Sequence, residues 1–134
     1  MKKVIYALMA LWVASVIVCI PLSFCAGLES RSFTISIGAA ATTTQTVSII
    51  GIPRPSLIQE IKVVIPDTDN DRTFTFYLTD TDSFARYSVA ALAENTSHII
   101  KPGRIVATGY TLGMLPSGAT GNAITITIKV TYWD

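Results

Sequence analysis

The feature that most constrains this chain is a strict alternation near its C-terminal end. Over residues 123–133, Ile124, Ile126, Ile128, Val130 and Tyr132 occupy every second position, and Thr125, Thr127, Lys129, Thr131 and Trp133 occupy the positions between. An extended strand turns successive side chains to opposite faces, so this run is a β-strand with one face buried and the other wet. The same period of two places Phe74, Phe76 and Leu78 inward with Thr73, Thr75 and Tyr77 outward. It also places Ile61, Val63 and Ile65 inward with Glu60 and Lys62 outward, and it repeats at Phe33, Ile35 and Ile37. These runs are rich in β-branched and aromatic residues, which pack well on a pleated surface.

Turn-forming residues separate the runs at short intervals: residues 38–44, Gly51-Ile52-Pro53-Arg54-Pro55, Pro66 to Arg72, Asp80 to Ser83, Lys101-Pro102-Gly103, and Pro116 to Asn122. No helical pattern between them is long enough for a parallel crossover. The spacing therefore predicts an all-β domain of seven or eight strands, an antiparallel β-sandwich of jelly-roll type. Ser88 to Glu94, with three alanines and a leucine, reads equally as a helical turn or a strand. Ala39 to Thr46, almost without charge, reads as a flexible loop or as an edge that meets another subunit.

The first stretch is different. No charged residue occurs between Lys3 and Glu29, and Val4 to Ile20 is almost wholly apolar until Pro21. A basic start followed by such a run is the pattern of a signal peptide or of a membrane-anchor helix. Residues 1–27 are therefore expected to form a hydrophobic helix ahead of a β-sandwich domain of residues 28–134, with residues 4–24 able to enter a membrane. Lys2 and Lys3 would stay on the cytoplasmic side. Cleavage near Cys25 to Gly27, retention as an anchor, and lipidation of Cys25 are all compatible with the residues.

Without its first 27 residues the chain has eight Lys and Arg against nine Asp and Glu, and no cysteine. A near-neutral domain lacks the basic face that neutralises phosphates, so nucleic acid is not an expected partner. The absence of thiols removes disulfide scaffolds and thiolate metal sites within the domain. His98 is the only histidine, and no serine stands in a Gly-x-Ser-x-Gly elbow. The chain thus offers no nucleophile paired with a base, and no enzyme is expected.

Two sets of residues remain as candidates. Asp67, Asp69 and Asp71 alternate in one turn, with Asp80 and Asp82 in the next. Carboxylates in such loops can converge on Ca²⁺, provided that both turns lie at the same end of the sandwich. The competing reading gives these residues to turns, where Asp and Asn side chains bond the local backbone. Outward rings at Tyr77 and Trp133, and the strand bearing Phe33, Ile35 and Ile37, are the candidate subunit contacts.

The phrases Val63-Val64-Ile65-Pro66-Asp67-Thr68-Asp69-Asn70, Thr75-Phe76-Tyr77-Leu78-Thr79-Asp80-Thr81-Asp82 and Tyr87-Ser88-Val89-Ala90-Ala91-Leu92-Ala93-Glu94-Asn95 resemble small β-sandwich proteins encoded among tailed-phage structural genes. The resemblance spans roughly Ile58 to Trp133. It implies a non-enzymatic virion protein, a decoration or minor capsid or tail subunit that binds its neighbours through sandwich faces or edges in a homo-oligomer or lattice. The export-like start points to an alternative, a cell-surface or filament subunit in which the strand Arg31 to Gly38 is exchanged between copies.

Overall fold

The computed structural model describes residues 27–52, 56–106 and 109–133. The hydrophobic helix expected over residues 1–27, and with it the membrane-directed run 4–24, falls outside them except for Gly27. Among the described residues, no helix is long and apolar enough to cross a membrane.

The described residues form nine strands: β1 (Leu28–Ile37), β2 (Gln45–Ser48), β3 (Leu57–Ile65), β4 (Thr73–Thr79), β5 (Ala85–Ala93), β6 (Thr96–Ile100), β7 (Ile105–Val106), β8 (Thr111–Pro116) and β9 (Ile124–Trp133). One sheet has the order β1-β9-β3-β6, with β7 also paired to β3. The other has the order β2-β8-β4-β5. All pairings are antiparallel. With the two-residue β7 set aside, the chain alternates between sheets except at the β4–β5 hairpin, and this strand order is that of an eight-stranded jelly roll. β7 is the strand that raises the count above the expected seven or eight. It lies in the β6–β8 connection, where the Lys101-Pro102-Gly103 turn was the only signal.

β9 fills the position between β1 and β3. Its inward residues Ile124, Ile126, Ile128, Val130 and Tyr132 are all buried. The first sheet lines the core mainly with β-branched side chains: Ile35 and Ile37 from β1, Ile58, Ile61, Val63 and Ile65 from β3, and those of β9. The second sheet answers with longer ones, Phe74, Phe76, Leu78, Leu92, Leu112 and Met114. Side chains branched at Cβ against longer leucine, methionine and aromatic ones let the two layers interdigitate at interior density.

Three register shifts interrupt the pairings, and two of them bring out-of-phase residues into the core. In β3 the register against β9 slips between Ile58 and Glu60, so Ile58 and Ile61 both face inward although they differ in parity. In β5, Ala90 and Ala91 together stand opposite Thr75, and Ala91 takes φ 59°. Ser88 to Glu94 is thus resolved as bulged strand followed by a turn, with Val89 and Leu92 both turned to the core. An extra residue in one strand restores the inward direction where strict alternation would lose it.

Ile126 is fully buried at the centre of β9, whereas its neighbour Thr127 is exposed. Urea unfolding of the full chain is expected to show Ile126→Ala lowering stability by roughly 2–5 kcal/mol through transfer and cavity terms. Thr127→Ala is expected to change it by less than about 0.5 kcal/mol.

Candidate subunit-contact surfaces

The connections sort into two ends. Residues 38–44, 66–72, 94–95 and 117–123 lie at one end, here the crown. The β2–β3, β4–β5 and β6–β8 connections lie at the other, the base, where β1 begins and β9 finishes.

The crown is knitted by polar contacts. The Asp69 N–H donates to the Thr120 carbonyl (3.1 Å), and the Gly121 N–H donates to the Ala39 carbonyl (3.1 Å). Asn70 Nδ2 and Arg72 Nε both donate to the Ala119 carbonyl, each at 3.0 Å. Gly121 has φ +84°, and a Cβ there would stand 2.9 Å from the Asp69 Cβ. Glycine is therefore required both by the left-handed backbone and by the close approach of the 66–72 loop. Beneath the loop, buried Thr68 donates its hydroxyl and its N–H (2.9 Å) to Glu94 Oε2, while its Oγ1 accepts the Arg72 N–H (3.3 Å).

Asp67, Asp69 and Asp71 are all exposed. Among the described residues, no three carboxylate, imidazole or thiol side chains gather closely enough to hold a metal ion. The condition set for a shared calcium site fails on topology. β4 separates the Asp67–Asp71 loop at the crown from Asp80 and Asp82 at the base, a distance of roughly 20 Å at about 3.3 Å per residue. Asp80 instead organises its own turn: Oδ1 accepts the N–H groups of Asp82 (3.1 Å) and Phe84 (2.9 Å), and Oδ2 accepts Arg86 Nε at 2.5 Å. Partial burial pushes the Asp80 pKa up, but the Phe84 N–H and the Arg86 guanidinium outweigh that and leave it below the usual value. His98 lies on edge strand β6, with Nε2 2.7 Å from the Ala93 carbonyl.

Phe33, Ile35 and Ile37 lie in the chain's own core, opposite Ile128, Ile126 and Ile124 of β9. As placed, they offer no surface to a neighbour. Tyr77 faces outward from β4 but is only half exposed. Its Cβ and the Thr44 and Thr46 methyls crowd Gly113, so the chain itself covers part of this face.

Trp133 belongs to a feature that single-strand patterns cannot show. Leu28 is opposite Trp133, Trp133 is opposite Leu57, and Leu57 is opposite Val106. Their exposures are 58%, 42%, 38% and 39% for Leu28, Trp133, Leu57 and Val106. They form an apolar row straight across the outer face of the first sheet, at the base. Beside it is a hollow of about 570 Å³ lined in part by Glu60, Lys101, Lys129 and Thr131. Exposed Ile50 and Phe84 sit on base loops, so most of the large exposed apolar side chains among the described residues belong to this end. Contiguous apolar surface with a polar rim is the mark of a contact site.

No family model and no curated protein sequence matches the chain. Its fold does match solved structures. A chain of the cyanophage Pam1 capsid asymmetric unit superposes with a TM-score of 0.56 at 15% identity, covering 80% of this chain and 84% of that one. A chain from Bacillus endospore appendages, described as disulfide-linked pili, superposes with a TM-score of 0.51 at 15% identity, covering 79% and 88%. The chain thus shares its all-β architecture with a capsid protein and with a pilus protein.

The Glu94 carboxylate is held below the ordinary glutamate value of 4.5, first by the Thr68 hydroxyl, against an opposing effect of burial, and further by the Arg72 and Thr68 N–H groups. Its contribution to stability is full above pH 4.5 and is lost as pH falls through the lower folded-state value. Thermal melts of the full chain should show Glu94→Gln less stable than wild type at neutral pH. Below pH 4.5 the two should converge.

Proposed function

We propose that the chain is a non-enzymatic structural subunit of a virion, a decoration or minor capsid or tail component that binds neighbouring subunits through the outer face of its first sheet. The observation that carries this reading is the apolar row Leu28–Trp133–Leu57–Val106 on a domain whose fold is shared with a phage capsid protein. Between 38% and 58% of each of these four side chains still meets water in the folded domain. Covering them with another subunit removes that area from water. Among the described residues, Glu29, Asp80 and Glu94 spend their carboxylates on contacts within the fold, and Asp67, Asp69 and Asp71 stand exposed.

A second reading is an exported filament or surface subunit, with residues 1–27 as a signal peptide or anchor. It is favoured by the uncharged run from Val4 to Leu28 behind Lys2 and Lys3, and by the likeness to a spore-appendage chain at nearly equal coverage. Both readings make the molecule a building unit. They differ in where it is assembled.

Electron microscopy and fractionation of the full chain, expressed with its particle or cell background, separate them. Recovery in purified particles supports the first reading, and recovery in detached surface fibres supports the second. A chain that remains monomeric at all concentrations opposes both. In either assembly, Trp133→Ser combined with Leu57→Ser is expected to raise the concentration needed for association by about tenfold or more, a loss of about 1.4 kcal/mol. Both side chains are more than half covered within the chain, so the melting temperature should fall as well, and association is compared well below both melts.

A further inference from the structure

A sandwich has four lateral edges, and each unpaired edge is a template for another strand. Three of the edges here are blunted. β2 is four residues long and β6 is five. β5 is longer, but two register shifts and the positive φ of Ala91 break its line. β1 is the exception. It runs for ten residues, pairs with β9 in unbroken register from Leu28↔Trp133 to Ile37↔Ile124, and contains no proline. Among the described residues, β1 pairs with β9 alone within its sheet, so no strand is hydrogen-bonded to its other edge, although β2 of the second sheet packs beside part of it.

β1 carries two charged side chains, both exposed and both in its first four residues, so Ser32 to Ile37 runs without a charge. Glu29 Oε2 accepts the Tyr132 hydroxyl proton at 3.0 Å. The Arg31 guanidinium lies against Gly51, with Nη1 2.8 Å from where a Cβ would stand. The outward positions are Leu28, Ser30, Ser32, Thr34 and Ser36, small or apolar side chains that do not obstruct an added strand. Leu28 ends the apolar row at this edge and is its most exposed member.

We propose that β1 is a self-association edge, along which β1 of a second copy of this chain adds antiparallel across a twofold axis. The occupant follows from length: no other free edge among the described residues offers ten unbulged residues to match. A twofold contact between identical strands is necessarily antiparallel. The first sheets of the two copies would join into one sheet of order β6-β3-β9-β1-β1-β9-β3-β6, within the range of open twisted sheets. The added strand would also flank Leu28. This proposal rests on the reading of the chain as an assembling subunit and assigns the surface that begins the assembly.

The test uses cysteine scanning in the full chain with Cys19→Ser and Cys25→Ser, since the domain has no cysteine of its own. Ser30→Cys, Ser32→Cys, Thr34→Cys and Ser36→Cys are oxidised singly and in pairwise mixtures. Directly opposed residues of an antiparallel pair share a face, so for an axis within residues 30–36 one variant or one mixture brings two Cα atoms to about 5.5 Å, within disulfide reach. Thr127→Cys on β9, Ser88→Cys on β5 and Ser97→Cys on β6 serve as controls. The expected result is a disulfide-linked dimer, reversed by reductant, at the β1 positions placed symmetrically about one residue and not at the controls. Linkage at β5 or β6 alone, or equally at every position, overturns the β1 assignment while leaving an assembling subunit. A chain that sediments as a monomer and links nowhere overturns both.

Discussion

The structure depends on one strand being held from both sides. β9 pairs with β1 along its whole length and with β3 through a bulge, and its inward residues Ile124, Ile126, Ile128, Val130 and Tyr132 meet the Phe, Leu and Met side chains of the opposite sheet. Burial of these side chains is the main favourable term, at roughly 1.5–3 kcal/mol for each large one. The requirement that their neighbours Thr125, Thr127, Lys129 and Thr131 stay wet fixes which way the sheet faces. A one-residue slip would exchange the two sets.

From that arrangement comes the difference between the two ends. At the crown, four connections bond to one another through backbone groups and through Thr68, Glu94, Asn70 and Arg72, and little apolar surface remains. At the base, Leu28, Ile50, Leu57, Phe84, Val106 and Trp133 reach solvent. A polar end and an apolar end give the molecule a direction. The likenesses to a capsid chain and to an appendage chain, both at 15% identity, extend to fold. What supports assembly is therefore the exposed row and the unpaired edge of β1 in this chain.

Much of the fold was legible in the residues, because a period of two leaves few alternatives. The inward sets of β1, β3, β4 and β9 follow from counting alone. Counting failed where an extra residue enters a strand: Ile58 in β3 and Leu92 in β5 are core residues out of phase with their neighbours, and nothing local announces the bulges that return them to the interior. The Asp-rich turns were legible as turns, and Asp80 bonds its local backbone as such a residue should. That the two turns lie at opposite ends follows from the one strand between them. Trp133 was legible as an outward ring, but the row it belongs to was not. Leu28, Leu57 and Val106 are distant in sequence, and only cross-strand register sets them side by side.

The pairing of Leu28 with Trp133 also bears on how the molecule can be handled. Both ends of the folded domain leave at the same pole, on neighbouring strands, next to the surface assigned here to neighbours. A tag or reporter fused behind Trp133 would crowd that pole and compete with whatever docks there. Cargo meant for outward display is better spliced into the 38–44 connection, which emerges at the far pole, about ten residues of extended chain away.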